Sequence, residues 1–170
     1  MGVAGVGKST IGRLLAARLG VEFCDGDALH PSANIALMAA GHPLGDLERM
    51  PWLHAVGRRL HDSRKQNRGI VVACSALKRR YRDILREHQS DIIVVFLDAP
   101  MLVVHERITS REHDYMPPSL LASQFLDLEP LQDDERGMRA NVQQSPRKIV
   151  GQIAKALASR SLAPLPKADN

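Results

Sequence analysis

Residues 1–10 read MGVAGVGKST. Gly2, Gly7, Lys8 and Ser9 stand at the spacing G-x-x-x-x-G-K-S, the pattern of a phosphate-binding loop. Glycines let successive backbone N–H groups turn inward around phosphate oxygens. The helix opening behind Gly7 adds the positive end of its dipole. In this pattern Lys8 reaches the β- and γ-phosphates of a nucleotide, and the Ser9 hydroxyl holds Mg²⁺. At average composition, chance gives this spacing in fewer than roughly 1% of chains of this length. The competing reading is a plain glycine-rich turn before a helix.

Beyond the loop, Ile11, Leu14, Leu15 and Leu19 recur at helical spacing, and Gly20 is a natural stop. Residues 21–24 suit a short strand that ends in Asp25-Gly26-Asp27. A short helical stretch at 35–40 follows, and Pro51 suits the first turn of a helix carrying Trp52, Leu53, Val56 and Leu60. Residues 70–74 and 92–97 are continuous apolar runs, the signature of strands buried on both faces of a parallel sheet. Helical patterns run through Leu77–Leu85, Val103–Ile108 and Leu120–Phe125. Residues 140–143 could be a last, poor strand, and Ser145-Pro146 opens a helix carrying Ile149, Val150, Ile153 and Leu157. Strands alternating with helices give an α/β fold with a parallel sheet. We expect one domain over residues 1–158 and a disordered tail over 159–170. A phosphate loop belongs at the carboxyl end of a central strand. No strand-length run precedes this one, so the first, central strand is expected to be missing and Met1 to be an internal methionine of a longer chain.

The 170 residues are 44% hydrophobic and 25% charged, ordinary for one globular domain. No apolar run approaches the roughly 18–20 residues of a membrane span. The opening residues show no basic region followed by an apolar stretch, so the expectation is a cytoplasmic chain in which Cys24 and Cys74 are reduced thiols. The net charge is +4, with basic clusters at Arg58, Arg59, Arg64 and Lys65 and at Lys78, Arg79, Arg80, Arg82 and Arg86. A nucleic-acid surface is one reading. Solvated helix faces or an anion pocket are the other, and the scarcity of aromatic residues favours them over a stacking platform.

Asp25 and Asp27, two apart at a strand end, would share a face. Beside a phosphate loop one carboxylate can orient Mg²⁺ through water while the other faces an acceptor hydroxyl, because phosphoryl transfer depends on positioning the nucleophile. A solvated Asp-Gly turn is the alternative. Arg107 and Arg111, four apart, could close over phosphates or simply form a wet helix face. The seven histidines form no metal-ligand spacing, so no zinc site is expected. Trp52 reads as core or pocket wall.

Five stretches carry a resemblance: MGVAGVGKST, DGDALHP, GHPLGDLERMPWL, CSALKRRYRDILR and REHDYMPPSLLASQFLDLEPL, in order from residue 1 to about 131. With them the chain resembles the gluconokinases, small P-loop kinases related to shikimate kinase. The resemblance implies a three-layer P-loop kinase fold with a parallel sheet of roughly five strands and a short lid over about residues 111–125. It implies transfer of the ATP γ-phosphoryl, with Mg²⁺, to a hydroxyl of D-gluconate, giving 6-phosphogluconate. It further implies that Gly2, Val3, Ala4, Gly5, Val6, Gly7, Lys8, Ser9 and Thr10 cradle ATP and that Arg107 lies near the adenine. Asp27 would act on the substrate hydroxyl with Lys8 and the lid residue Arg111 as catalytic partners. Ser9 and Asp25 would serve the metal, and His30, Arg49, Ser75 and Lys78 would line the gluconate side. His113 matches a motif position without a role. A homodimer, and no nucleic-acid or membrane partner, complete the expectation. The chain departs from the resemblance at Val6, Leu37, Gly45 and Asn141, where serine, lysine, asparagine and aspartate are usual. A kinase for another small hydroxylated acid, or a nucleotide-binding module without catalysis, are the alternatives.

Overall fold

The computed structural model describes residues 1–109 and 118–159, with the backbone alone for 118–120. The phosphate loop runs into α1 (Lys8–Leu19), which Gly20 ends in the left-handed conformation, φ 65°, its N–H turned back onto the Ala16 and Ala17 carbonyls. The chain continues through β1 (Glu22–Asp25), a 3₁₀ turn (Gly26–Leu29), α2 (Ser32–Ala39), α3 (Asp46–Lys65) and β2 (Ile70–Ala73). Then come α4 (Arg79–His88), β3 (Val94–Asp98), α5 (Met101–Thr109), α6 (Pro118–Asp127), β4 (Gly137–Asn141) and α7 (Pro146–Ala158). The strands pair in parallel as two halves, β1 with β2 and β3 with β4.

Adjacent residues of β2 point to opposite sides. Val71 packs into the cluster of α1 and α7, and Val72 into that of α3 and α4. The two helix pairs therefore cover opposite faces, which makes three layers. The first cluster is aliphatic, with Val3, Val6, Ile11, Leu15, Leu97 and Ile153 among its members. The second is built on Trp52, Leu53, Val56, Tyr81 and Leu85.

Residues 1–2 join the halves. Met1 bonds to β3 through its nitrogen and the Val95 carbonyl, and its own carbonyl accepts from the Leu97 N–H at 3.0 Å. Gly2 donates to the Ser75 carbonyl at 3.1 Å, on the β2 side. Beyond Met1, between β2 and β3, lies an apolar cavity of about 340 Å³ walled by Val72, Cys74, Ile93, Val95 and Ile153.

Two sequence expectations need correction. Pro51 does not open its helix but sits inside α3, which starts at Asp46. The proline leaves the Leu47 carbonyl without its helical donor, and Leu47 is 83% exposed, so water can replace it. The last strand runs from Gly137, ahead of the apolar run that marked it at 140–143. Its first residues, Gly137, Met138 and Arg139, carry no apolar alternation, but a Cβ at Gly137 would fall 2.2 Å from the Val94 carbonyl oxygen, so close pairing demands glycine.

The second basic cluster is largely tied up in ion pairs, with exposed Arg80 on Asp46. Arg82 is fully buried and grips Glu135 through two bonds of 2.6 Å, while its third nitrogen donates to the Leu77 and Glu129 carbonyls. Arg86 joins the same carboxylate and Arg79 binds Asp83 and Asp134. Arg59 of the first cluster pairs with Glu22. Both cysteines are free, and burial pushes the Cys74 thiol up to about 12. No helix among the described residues is long and apolar enough to cross a membrane.

Candidate active site

The loop takes positive φ at Gly2 (138°), Gly5 (75°) and Gly7 (102°). Gly5 is also constrained by space, since a Cβ there would sit 2.5 Å from the Ile108 side chain. Val3 and Val6 bury their side chains in the core, so at these positions only the backbone faces a ligand. The Lys8 ammonium donates to the Val3 carbonyl at 3.0 Å and stays folded along the loop. Burial lowers its pKa, against the pull of Asp27 and Asp25.

Asp25 ends β1 and accepts the Ser9 hydroxyl at 2.9 Å. The expected shared face of Asp25 and Asp27 arises differently from strand alternation. Asp27 lies one step on, in the 3₁₀ turn, where its N–H donates to the Asp25 carboxylate at 3.3 Å. Gly26 between them presses against β2, where a Cβ would come within 2.5 Å of the Ala73 carbonyl oxygen. The Asp27 side chain is open to a cavity yet sufficiently enclosed that desolvation raises its pKa, with Lys8 opposing and Asp25 reinforcing. Ser9 and Asp25 are hard oxygen donors, the set that suits Mg²⁺ when substrate phosphates and water complete the shell. Among the described residues no cluster of three or more His, Cys, Asp or Glu forms a dedicated metal cage.

That cavity holds about 570 Å³ and is lined by Lys8, Ser9 and Thr10 on one side and by Asp27, His30 and Arg49 on the other. Ser75 also lines it. Trp52 is fully buried behind the acceptor side, donating from Nε1 to the Gly26 carbonyl at 2.7 Å and stacking on the His30 ring at 4.3 Å between centroids. Arg49, from α3, is buried and steadied by a 3.1 Å bond from Nε to the Leu44 carbonyl. Lys78 does not reach the lining. Its ammonium is held by Asp46 at 3.3 Å and Asp127 at 3.0 Å. Arg107 lines a separate cleft of about 290 Å³ beside Thr10, Val142 and Pro146, and donates to the Val142 carbonyl at 2.8 Å. Arg111 and His113 lie outside the described residues, as does part of the expected lid.

Two residues that motif reading missed belong to the site. Gln124, on α6, accepts from the Ala4 N–H at 2.7 Å and lines the main cavity. It stands inside the quoted 111–131 stretch, but no spacing argument reaches 120 residues back to the loop. Asn34, on α2, is buried with its amide against the Glu48 carbonyl at 2.6 Å. An asparagine four residues after His30 was the available signal.

The family model for shikimate kinase matches residues 4–158. The chain is 42% identical to a gluconokinase of Gluconobacter oxydans over 153 residues, covering 90% of this chain and 86% of that one. It is 42% identical to the thermosensitive gluconokinase of Escherichia coli, covering 80% and 73%. A sugar kinase from a Janibacter species superposes with a TM-score of 0.90 at 38% identity, over 97% of this chain and 96% of its own. A gluconokinase from Sinorhizobium meliloti superposes at 0.81 with 40% identity, over 95% and 94%. The α/β P-loop kinase architecture agrees with these likenesses, and the chain belongs to the shikimate kinase family, on its gluconokinase branch.

Proposed function

We propose that the protein phosphorylates D-gluconate with ATP, giving 6-phosphogluconate and ADP. One observation carries the reading: a single cavity places the loop residues Lys8 and Ser9 opposite Asp27 and the buried cation Arg49. Backbone N–H groups of Gly5, Gly7, Lys8, Ser9 and Thr10 and the Lys8 ammonium would hold the phosphates, while those of Gly2 and Ala4 stay with the Ser75 carbonyl and Gln124. The cleft at Arg107 is the right neighbour for the adenine. The acceptor hydroxyl would give its proton to the Asp27 carboxylate as its oxygen bonds to the γ-phosphorus. The bond to the β,γ-bridging oxygen breaks, and ADP carries away that electron pair. A carboxylate with a raised pKa is a better base than an ordinary one. Lys8 neutralises charge on the transferring group, a task the resemblance assigns also to Arg111.

Arg49 is suited to the sugar-acid carboxylate, which a guanidinium recognises better than a point charge. Ser75 and His30 complete that wall, and Lys78 would join only by leaving its two aspartates. Mg²⁺ would sit at Ser9 with Asp25 behind it and supply charge neutralisation between the phosphates. The family resemblance supports a cytoplasmic homodimer.

The test is ADP release from Mg-ATP with D-gluconate, shikimate or no acceptor, and the expected result is release with gluconate alone. Release with shikimate instead would reassign the acceptor. ATP binding without release on any acid would overturn the kinase reading. Size-exclusion chromatography with light scattering reads the oligomeric state.

A further inference from the structure

The hydrogen bonds around Asn34 fix the chemistry of His30. A backbone carbonyl can only accept, so the 2.6 Å contact to the Glu48 carbonyl identifies the Asn34 side-chain nitrogen as the donor. The same nitrogen lies 3.4 Å from Nδ1 of His30. An amide NH₂ has two hydrogens, one for each partner. Nδ1 is therefore an acceptor, and the neutral ring must carry its hydrogen on Nε2. The ring is held flat against Trp52, interplanar angle 10°, and it lines the cavity that contains Asp27 and Arg49.

We infer that Asn34 is a positioning residue that locks His30 in its Nε2–H tautomer, so that His30 serves as a neutral hydrogen-bond donor to an oxygen of the acceptor. The inference rests on the sugar-acid kinase reading for its ligand, but the tautomer does not. Burial and one charged group hold the ring neutral. Burial lowers the His30 pKa to about 4, and Arg49 acts in the same direction. The backbone N–H of His30 donates to the backbone carbonyl of Asp27 at 3.3 Å, which leaves the ring nitrogens out of that bond. A neutral donor leaves the Asp27 carboxylate as the base and adds no second cation beside Arg49. It suits a hydroxyl or carboxylate oxygen of a polyhydroxy acid.

Two experiments decide it. Nitrogen NMR of the histidine-labelled protein without ligand should show His30 with Nε2 protonated and Nδ1 bare. Asn34→Asp, which offers Nδ1 an acceptor, should move the proton to Nδ1. In kinetics, His30→Gln keeps an NH₂ near the Nε2 position, whereas His30→Asn places it near Nδ1. The KM for gluconate should rise roughly tenfold in His30→Asn and His30→Ala, return most of the way in His30→Gln, and leave the KM for ATP alone. An Nδ1–H tautomer in the parent protein, or equal KM values across the three variants, overturns the inference. Absence of gluconate turnover in the parent would instead sink the acceptor assignment, with the NMR result still ruling on Asn34. Should Asn34→Asp not fold, the parent spectrum and the His30 series stand.

Discussion

The loop side of the cavity rests on an aliphatic cluster that includes Val3, Val6, Ile11 and Val104, whereas the acceptor side rests on Trp52, Tyr81 and the stacked His30. On the first side the backbone, with the Lys8 and Ser9 side chains, serves the ligand, and the side chains below it only fill space. On the second, recognition belongs to side chains, and each needs its own support: Arg49 from the Leu44 carbonyl, Trp52 from that of Gly26, His30 from Asn34. Phosphate is the same in every nucleotide and a fixed backbone cradle serves it. An acceptor acid has its own shape, and only side chains can be tailored to it.

The comparison can be broken where the two sides meet. Asp27→Asn removes the base and should lower kcat by about 10²–10⁴-fold, with ATP affinity, read by calorimetry, nearly unchanged. The same variant should raise the melting temperature. The folded pKa of Asp27 is raised above its unfolded value, so stability is lost as pH rises through that folded pKa. At neutral pH the amide removes the cost of keeping the charge. Lys8→Met strikes the loop side, and should lower kcat/KM by about 10²–10³-fold while both core clusters keep their thermal transition.

Support for the acceptor side should be visible in urea unfolding. Arg82→Met leaves the Glu135 carboxylate with Arg86 as its one cationic partner among the described residues and should cost about 3 kcal/mol, the low end for breaking a buried pair. Adding Glu135→Leu should recover much of it, because two apolar residues replace a buried pair at little net loss. Trp52→Phe leaves the Gly26 carbonyl without its donor and should cost about 1–3 kcal/mol, raising the KM for the acceptor more than that for ATP. The smallest effect is on pH. The acid limb of kcat should lie above the ordinary carboxylate range and should disappear in Asp27→Asn.

This difference in materials also explains what could be read ahead of the structure. A backbone site requires glycines at fixed spacing, and ten residues displayed it. Continuous apolar runs disclosed β2 and β3, and Gly20 and Ser145 marked helix ends because their roles are local. The acceptor wall draws on residues from Asp27 to Gln124, joined by contacts such as Trp52 to Gly26 that no periodicity encodes. Asp27 was singled out for strand alternation but reaches the cavity from a turn. Lys78 matched a motif, and Asp46 and Asp127 claimed its charge. Strand β4 escaped at its start because Gly137 is there for closeness, which hydropathy does not measure.

Met1 and Gly2 tie the half-sheet carrying Asp27 to the half-sheet of β3 and β4 through three backbone hydrogen bonds. The α1 and α7 cluster spans both as well, since Val71 of β2 packs with Leu97 of β3 and Ala140 of β4. A nucleotide gripped by the loop and an acceptor gripped by the opposite wall would act as a splint across the two half-sheets, and saturating both should delay thermal inactivation more than either ligand alone.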